Sequence, residues 1–180
     1  MEGETMGDGI TGDDITDNVS KMQGCVKKLV ENFTGSVRGE VLMFHEEKNK
    51  YFPQMANCRN AASGVMKRKN GEGCELLHIV TYDAMYEDED KSFERESQKI
   101  SWLAAQGFET VDTTGFSVKS SLDNSAKELT EIMLRTNENR AELPYDLDGI
   151  VLKKFYDRSI LRLPLPVMHL PAEWQVFQVS

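Results

Sequence analysis

Long apolar runs are missing from this chain. None approaches the roughly 20 residues that a helix needs to cross a bilayer. The opening Met1-Glu2-Gly3-Glu4 is acidic, where a secretory signal is basic and then apolar. Both absences point to a cytoplasmic protein with no membrane partner. Cysteine is scarce as well: Cys25, Cys58 and Cys74 are odd in number and lack metal-ligand spacing. They read as reduced thiols and not as a disulfide framework. Basic charge is also in short supply. Lys and Arg number 21 against 30 Asp and Glu, a formal net charge of −9, so the chain as a whole repels a polyanion. Any contact with DNA must use one face or a partner chain. Basic clusters that would serve such a face lie at Lys27-Lys28, Lys67-Arg68-Lys69 and Lys153-Lys154. The acidic run Glu87-Asp88-Glu89-Asp90 reads as a solvated loop, with a cation site as the other option.

Internal repeats and low-complexity segments are absent too. A chain of 180 residues with 39% apolar and 28% charged side chains is ordinary globular material. It suffices for one domain with a real core, or for a large part of one. Near the start, Gly7, Gly9 and Gly12 alternate with Asp8, Asp13 and Asp14, which predicts tight turns and little regular structure. A phosphate-cradling P-loop is excluded because no Gly-Lys-Ser/Thr ending follows. An EF-hand is excluded because the acids do not alternate and no glutamate closes the loop. A surface loop is what remains.

The elements that are present alternate in type. Val37–Met43 and Leu76–Tyr82 read as strands, the second buried. Between them, His45–Tyr51 is a polar stretch. Asn57–Lys67 carries small residues that suit close backbone approach or a short helix. A helix is predicted over Ser92–Gly107, with Phe93, Ile100, Leu103 and Ala104 near one face and Gly107 as its stop. A second is predicted over Ser125–Arg140, opened by Ser125 and Glu128 in capping-box spacing, with Leu129, Ile132 and Met133 on one stripe. Phe108–Phe116 reads as a short strand and turn, and Gly149–Phe155 as the last clear strand. After Arg158, Pro164, Pro166 and Pro171 make the tail irregular or edge structure.

Two segments do not look like core filler. Arg38-Gly39-Glu40-Val41-Leu42-Met43 and Tyr145-Asp146-Leu147-Asp148-Gly149-Ile150-Val151-Leu152-Lys153 each set charges into an apolar, strand-forming run. Charges turned inward need partners, because an unpaired buried charge is very costly. A polar pocket built on sheet, for a phosphate-bearing ligand and a metal ion, satisfies that need. A cross-strand ion pair between Glu40 and Lys153 satisfies it too, and Arg59 fits a turn cap as well as a pocket.

In order, the chain shows Gly7-Asp8-Gly9 with Gly12-Asp13-Asp14-Ile15-Thr16-Asp17-Asn18, then Arg38-Gly39-Glu40-Val41. Asn57-Cys58-Arg59-Asn60-Ala61-Ala62-Ser63-Gly64 and Tyr145–Lys153 follow. This ordered set of four blocks resembles the adenylation (nucleotidyltransferase) domain of bacterial NAD-dependent DNA ligases. The resemblance implies an α+β, antiparallel-sheet nucleotidyltransferase fold, incomplete at its N-terminal side. It implies a partial adenylation domain over 1–158 and, over 159–180, an irregular tail like a degraded continuation of it. NAD and magnesium are the implied cofactors, nicked duplex DNA the implied partner, and nick sealing in repair and replication the implied role. In that reaction a lysine takes the adenylyl group from NAD, and nicotinamide mononucleotide leaves. The adenylyl group then passes to a 5′-phosphate, where the 3′-hydroxyl displaces it.

Position by position, the resemblance puts Glu40 on the adenosine ribose and Arg38 beside it as an orienting cation. It puts Asp148 near phosphate and metal, Lys153 on the adenylate, and Arg59 and Lys67 on the ligand pocket or the DNA backbone. His169 stands where the family carries a lysine, and Met6 where it carries an arginine. The family's nucleophilic Lys-x-Asp-Gly motif belongs upstream of Gly7 and does not occur in this sequence. Its NAD-capturing, OB-fold, zinc-finger, helix-hairpin-helix and BRCT regions have no counterpart here. The expectation is that this chain alone forms no lysyl-AMP, binds NAD or AMP weakly, and exposes sheet edge that leaves it poorly soluble or tightly partnered. A second chain carrying the lysine would complete a split ligase. The other expectation is a degenerate, non-catalytic relative that serves as a binding or interaction module.

Overall fold

A computed structural model describes residues 2–5, 12–115, 122–153, 160–164 and 175–179. The Gly7-Asp8-Gly9 block, Met6, Lys154 and His169 lie outside them. The described chain is a mixture of helices and strands, and every paired strand runs antiparallel to its neighbour.

A short helix, α1 (Thr16–Val19), follows an isolated antiparallel bridge between Glu4 and Asp14. Asn18 is buried, and its side-chain amide donates to the carbonyls of Met66 at 2.7 Å and Arg68 at 2.9 Å. The Gly- and Asp-rich segment is thereby tied to the body of the molecule. The first strand pair is β1 (Gly35–Leu42) with β2 (His78–Tyr86). Both strands are longer than predicted at one end, and β2 begins two residues later than Leu76 because Cys74–Leu76 form a 3₁₀ turn. The register shifts between Arg38 and Gly39: Arg38 faces Asp83 and Gly39 faces Thr81, so Tyr82 is the extra residue of a bulge. Thr81 turns its amide to the carbonyl of Glu109 at 2.7 Å, and its own carbonyl accepts from the amide of Val111 at 3.1 Å. Gly39 sits at the tight point of the bulge, where a Cβ would lie 2.9 Å from the Val80 carbonyl.

His45–Tyr51, expected as a polar stretch, is a helix, α2. Its lack of a buried residue explains why no apolar period marks it. α3 (Cys58–Met66) opens on Asn57, whose side chain accepts from the Asn60 amide at 2.8 Å. Its small residues are there for contact: Ala61, Ala62 and Val65 are buried against Met22, Met43, Phe52, Cys74 and Leu77.

α4 (Glu96–Ala105) starts four residues later than predicted. It ends as expected, with Gly107 at φ 92° and the Phe108 amide reaching the Leu103 carbonyl at 3.1 Å. Ile100 and Leu103 are buried, while Ala104 is exposed, so the predicted apolar face loses that residue. They pack with Ala84 and Val151, flanked by Phe33, Phe93 and Trp102. α5 (Leu122–Asn139) begins before Ser125, which places that serine inside the first turn and overturns the capping-box reading. Its predicted stripe holds in two places, with Leu129 and Met133 buried.

A second sheet has four strands in the order β3 (Thr113–Thr114), β6 (Gln175–Val179), β4 (Gly149–Lys153) and β5 (Ile160–Pro164). The expectation of an irregular tail is corrected at these residues. β5 is an edge strand, which fits its terminal proline, but β6 is interior and pairs with both β3 and β4. Gln175-Val176-Phe177-Gln178-Val179, which follows the tail's prolines, carries β-favouring Val and Phe. β4 is buried throughout its last four residues. No disulfide forms; Cys25, Cys58 and Cys74 are free. No helix among the described residues is long and apolar enough to cross a membrane.

Candidate functional site

Three segments far apart in sequence meet at one cleft of about 330 Å³. β1 contributes Glu40, Val41, Leu42 and, just beyond it, Met43. The start of α3 contributes Asn57, Cys58, Arg59 and Ala62, and the stretch before β4 contributes Tyr145 through Asp148. Arg140 joins from the turn after α5. The volume falls at the small end of ligand sites, and the lining has the usual form of apolar walls with a few convergent polar groups.

Each polar group arrives by a local cause. Glu40 is half-buried on β1, past the bulge that resets the register of the strand. Arg59 is carried on the first turn of α3, which the Asn57 cap fixes in place. Its guanidinium lies 3.5 Å from Asp148 Oδ2, with both side chains more than two-thirds exposed. Such a pair is weak and easily exchanged for another partner. Asp146 adds a second acid: its Oδ2 accepts from the Cys58 amide at 3.3 Å, a carboxylate at the positive end of α3. Burial, and then the charges of Asp112 and Glu109, push the Tyr145 phenol above its ordinary pKa, so it stays a neutral donor at physiological pH. Burial, and then the Asp146 charge, push the Cys58 thiol up in the same way.

The structure brings together Glu40, Arg59 and Asp148 from the residues singled out in the sequence. It does not bring the others to the same place. Arg38 is exposed on β1, opposite Asp83 in the ladder. Lys67 ends α3, with Nζ 3.2 Å from Asp13 Oδ2. It lines a separate hollow of about 640 Å³ with Asp13 through Asn18, Arg68 and Lys69. Lys153 is buried and does not line the cleft. Its Nζ lies 3.2 Å from Glu96 Oε2 and 3.4 Å from the Tyr82 carbonyl, the residue that the bulge sets out of register. Glu96 Oε1 accepts from Lys99 Nζ at 2.8 Å, and Lys99 reaches Asp83 Oδ1 at 2.5 Å. All four side chains are at most 15% exposed.

Sequence reasoning missed Asn57, Arg140, Tyr145 and Asp146 as cleft residues. Asn57 and Tyr145 stood at the edges of quoted blocks, but nothing in their own spacing marked them. A ligand for such a cleft would need anionic or hydroxyl groups for Arg59 and Arg140, hydrogen-bond donors for Glu40, and a flat apolar part for the walls. Glu40, Asp146 and Asp148 also bring hard carboxylate oxygens to the lining of the cleft.

Comparison with known proteins identifies the family. The chain matches the model of the NAD-dependent DNA ligase adenylation domain over residues 1–159. It is 40% identical over 164 residues to a DNA ligase of Treponema denticola, an alignment covering 83% of this chain and 24% of that protein. A DNA ligase of Treponema pallidum is 38% identical over 177 residues, covering 90% and 21% respectively. One of Bacillus subtilis is 32% identical over 164 residues, covering 85% and 23%. The chain thus spans about a quarter of the length of these relatives. With a family match across most of its length, and with Glu40, Arg59 and Asp148 gathered on one cleft, the chain belongs to the NAD-dependent DNA ligase adenylation domain family.

Proposed function

We propose that the cleft is an adenylate pocket and that the chain acts as part of an NAD-dependent DNA ligase on nicked duplex DNA. The observation that carries this is the convergence of Glu40, Arg59 and Asp148 from three separate segments. Glu40 accepts hydrogen bonds from the ribose hydroxyls, and Tyr145 offers an aromatic face to the base. Arg59 exchanges Asp148 for a phosphate oxygen, one oxyanion for another, at little cost because the pair is exposed. Asp148 is the residue that would hold magnesium, which when bound would offset charge on the phosphoryl group. Arg38 supports the strand that carries Glu40. Lys67 faces the DNA backbone, giving up Asp13 for a phosphate. Lys153 reaches the adenylate only by leaving Glu96, and His169 is assigned to the nucleotide by the resemblance alone.

The attacking amine must come from a Lys-x-Asp-Gly segment, which this sequence does not contain. Incubated with NAD and magnesium, the chain alone is expected to release no nicotinamide mononucleotide and to take up no AMP. A separately produced ligase segment carrying the motif is expected to restore both, and Glu40→Gln or Asp148→Asn to abolish them. Failure of the folded, complemented chain to release the mononucleotide would sink the ligase reading. It would leave the second one, a non-catalytic binding module, which Met6 and His169 favour because each replaces a cation of the family. AMP is expected to bind the chain weakly, with Kd on the order of millimolar. Micromolar affinity for NAD, seen by calorimetry, would overturn that expectation.

A further inference from the structure

At the rim of the cleft three metal-ligating side chains of different kinds meet, independently of the adenylate reading. His45 is the first residue of α2, Cys58 the first of α3, and Asp146 lies in the segment before β4. Cys58 Sγ is 3.3 Å from His45 Nδ1, and His45 Nε2 is 3.7 Å from Asp146 Oδ1. One ligand atom from each residue lies within 4.8 Å of those of the other two. Main-chain bonds hold the three segments in place without using the thiol or the ring. The His45 amide donates to the Pro144 carbonyl at 2.7 Å, and the Cys58 amide donates to Asp146 Oδ2 at 3.3 Å.

Access and chemistry agree. Cys58 is 3% exposed and forms the floor, while the side chains of His45 and Asp146 are 46% and 50% exposed and form an open rim. A small ion can enter from solvent, whereas a bulky electrophile cannot reach the sulfur. Tetrahedral zinc takes S, N and O ligands at about 2.0–2.3 Å, which sets ligand-to-ligand separations of roughly 3.3–3.8 Å. The Cys58 Sγ–His45 Nδ1 separation already falls in that range, whereas Asp146 Oδ1 stands against the other ring nitrogen, Nε2, so a single ion cannot use both contacts. With one ligand atom from each residue the three lie within 4.8 Å, and a closing movement of about 1 Å brings them to tetrahedral separations.

We propose that His45, Cys58 and Asp146 form a binding site for a divalent transition-metal ion of the zinc class, with the fourth position left to water. Thiolate and imidazole select such an ion over magnesium, which prefers all-oxygen sites. On binding, the cation replaces the thiol proton, which leaves to solvent, and the imidazole coordinates in its neutral form; nothing is oxidised or reduced. The ordinary alternative is a nucleophilic Cys-His-Asp triad. In that arrangement the imidazole bridges thiol and carboxylate through its two nitrogens, and saturable cobalt binding through the Cys58 sulfur separates the metal site from it. The bound ion would clip α2, α3 and the approach to β4 together, and since Cys58 and Asp146 also line the cleft, it would stiffen one wall of it.

The test is a titration of the metal-free full chain with cobalt(II) alone, followed by absorbance. A single equivalent is expected to produce tetrahedral ligand-field bands and a thiolate-to-cobalt charge-transfer band, both displaced by zinc(II). Cys58→Ser should remove the charge-transfer band, and His45→Gln and Asp146→Asn should each weaken binding at least about tenfold. Cys25→Ser should change nothing. No saturable spectrum, or a charge-transfer band that survives Cys58→Ser, would overturn the proposal. Circular dichroism of each metal-free variant checks folding. If Cys58→Ser does not fold, His45→Gln decides, since its ring is half exposed, and an unchanged cobalt spectrum in that variant would reject the site.

Discussion

Two regions of this molecule hold clustered charges, and they solve the same electrostatic problem in opposite ways. In the cleft, Arg59 and Asp148 are 76% and 71% exposed and 3.5 Å apart, so water shares the work of solvating them. Beside α4, Lys99, Asp83, Glu96 and Lys153 are nearly sealed, and each ammonium faces carboxylates at 2.5–3.2 Å. The open pair is cheap to separate and free to trade partners with a ligand. The sealed set has two positive and two negative groups and little water to fall back on, so losing one member strands another. The difference teaches that a charged residue in an apolar strand pattern is not by that fact a ligand contact. Burial decides whether it is available.

The largest effect should come from breaking the sealed set at its bridge. Glu96 accepts from both Lys99 and Lys153, so Glu96→Ala takes a carboxylate from two buried ammoniums and leaves Asp83 as the acid on Lys99. A loss of about 3–5 kcal/mol in unfolding free energy is expected. It would be read as a lower urea midpoint at unchanged slope, and a loss under about 1 kcal/mol would refute the sealed-set description. Lys153→Met keeps the packed stem and leaves Glu96 with Lys99, so the expected cost is smaller, about 1–3 kcal/mol. This variant also sharpens the comparison. If Lys153 exchanges Glu96 for the adenylate, the complemented chain should lose AMP transfer far beyond what its reduced stability explains. If Lys153 only supports β4, transfer should follow the folded fraction.

Midway between the two regions stands the N-cap of α3. Asn57 lines the cleft, yet its bond to the Asn60 amide is structural. Asn57→Ala should cost about 1 kcal/mol, and Asn57→Ser should recover most of it in a thermal melt. Equal losses in both variants would mean that the side chain matters for something other than capping.

Much of this contrast could not be read from sequence, for physical reasons that differ by residue. β1 and β4 were legible because β-branched and apolar residues cluster there. The end of α4 was legible because Gly107 adopts a left-handed conformation that few other residues tolerate. The resemblance assigned Glu40, Arg59 and Asp148 to a nucleotide site, and the three line one cleft. α2 was missed because a helix with no buried residue leaves no apolar period, and β6 because it is short, lacks strict alternation and follows three prolines. The contact between Lys153 and Glu96 was not legible, because Glu96 lies 57 residues away on a helix. No local pattern carries that distance. The same applies to His45, Cys58 and Asp146, whose separations of 13 and 88 residues resemble no metal-binding spacing.

The smallest expected effect belongs to the open pair, and it is the one that isolates function from stability. Arg59→Ala, Asp148→Ala and the double variant form a cycle whose coupling energy should be about 0.2–1 kcal/mol in unfolding, as for exposed ion pairs. Each single change should alter stability by no more than about 0.5 kcal/mol. Added salt should shrink the coupling further, since both groups sit in water. Arg59→Ala, assayed for AMP transfer with the complementing segment, should fall at least about tenfold, because a lost charge-assisted bond to phosphate is worth roughly 1.5–3 kcal/mol. Asp148→Ala should lower transfer as well, through the loss of a carboxylate for the metal. A large coupling energy with intact transfer would invert the comparison: the cleft pair would then be structural, and the search for the adenylate's cation would move to Arg140.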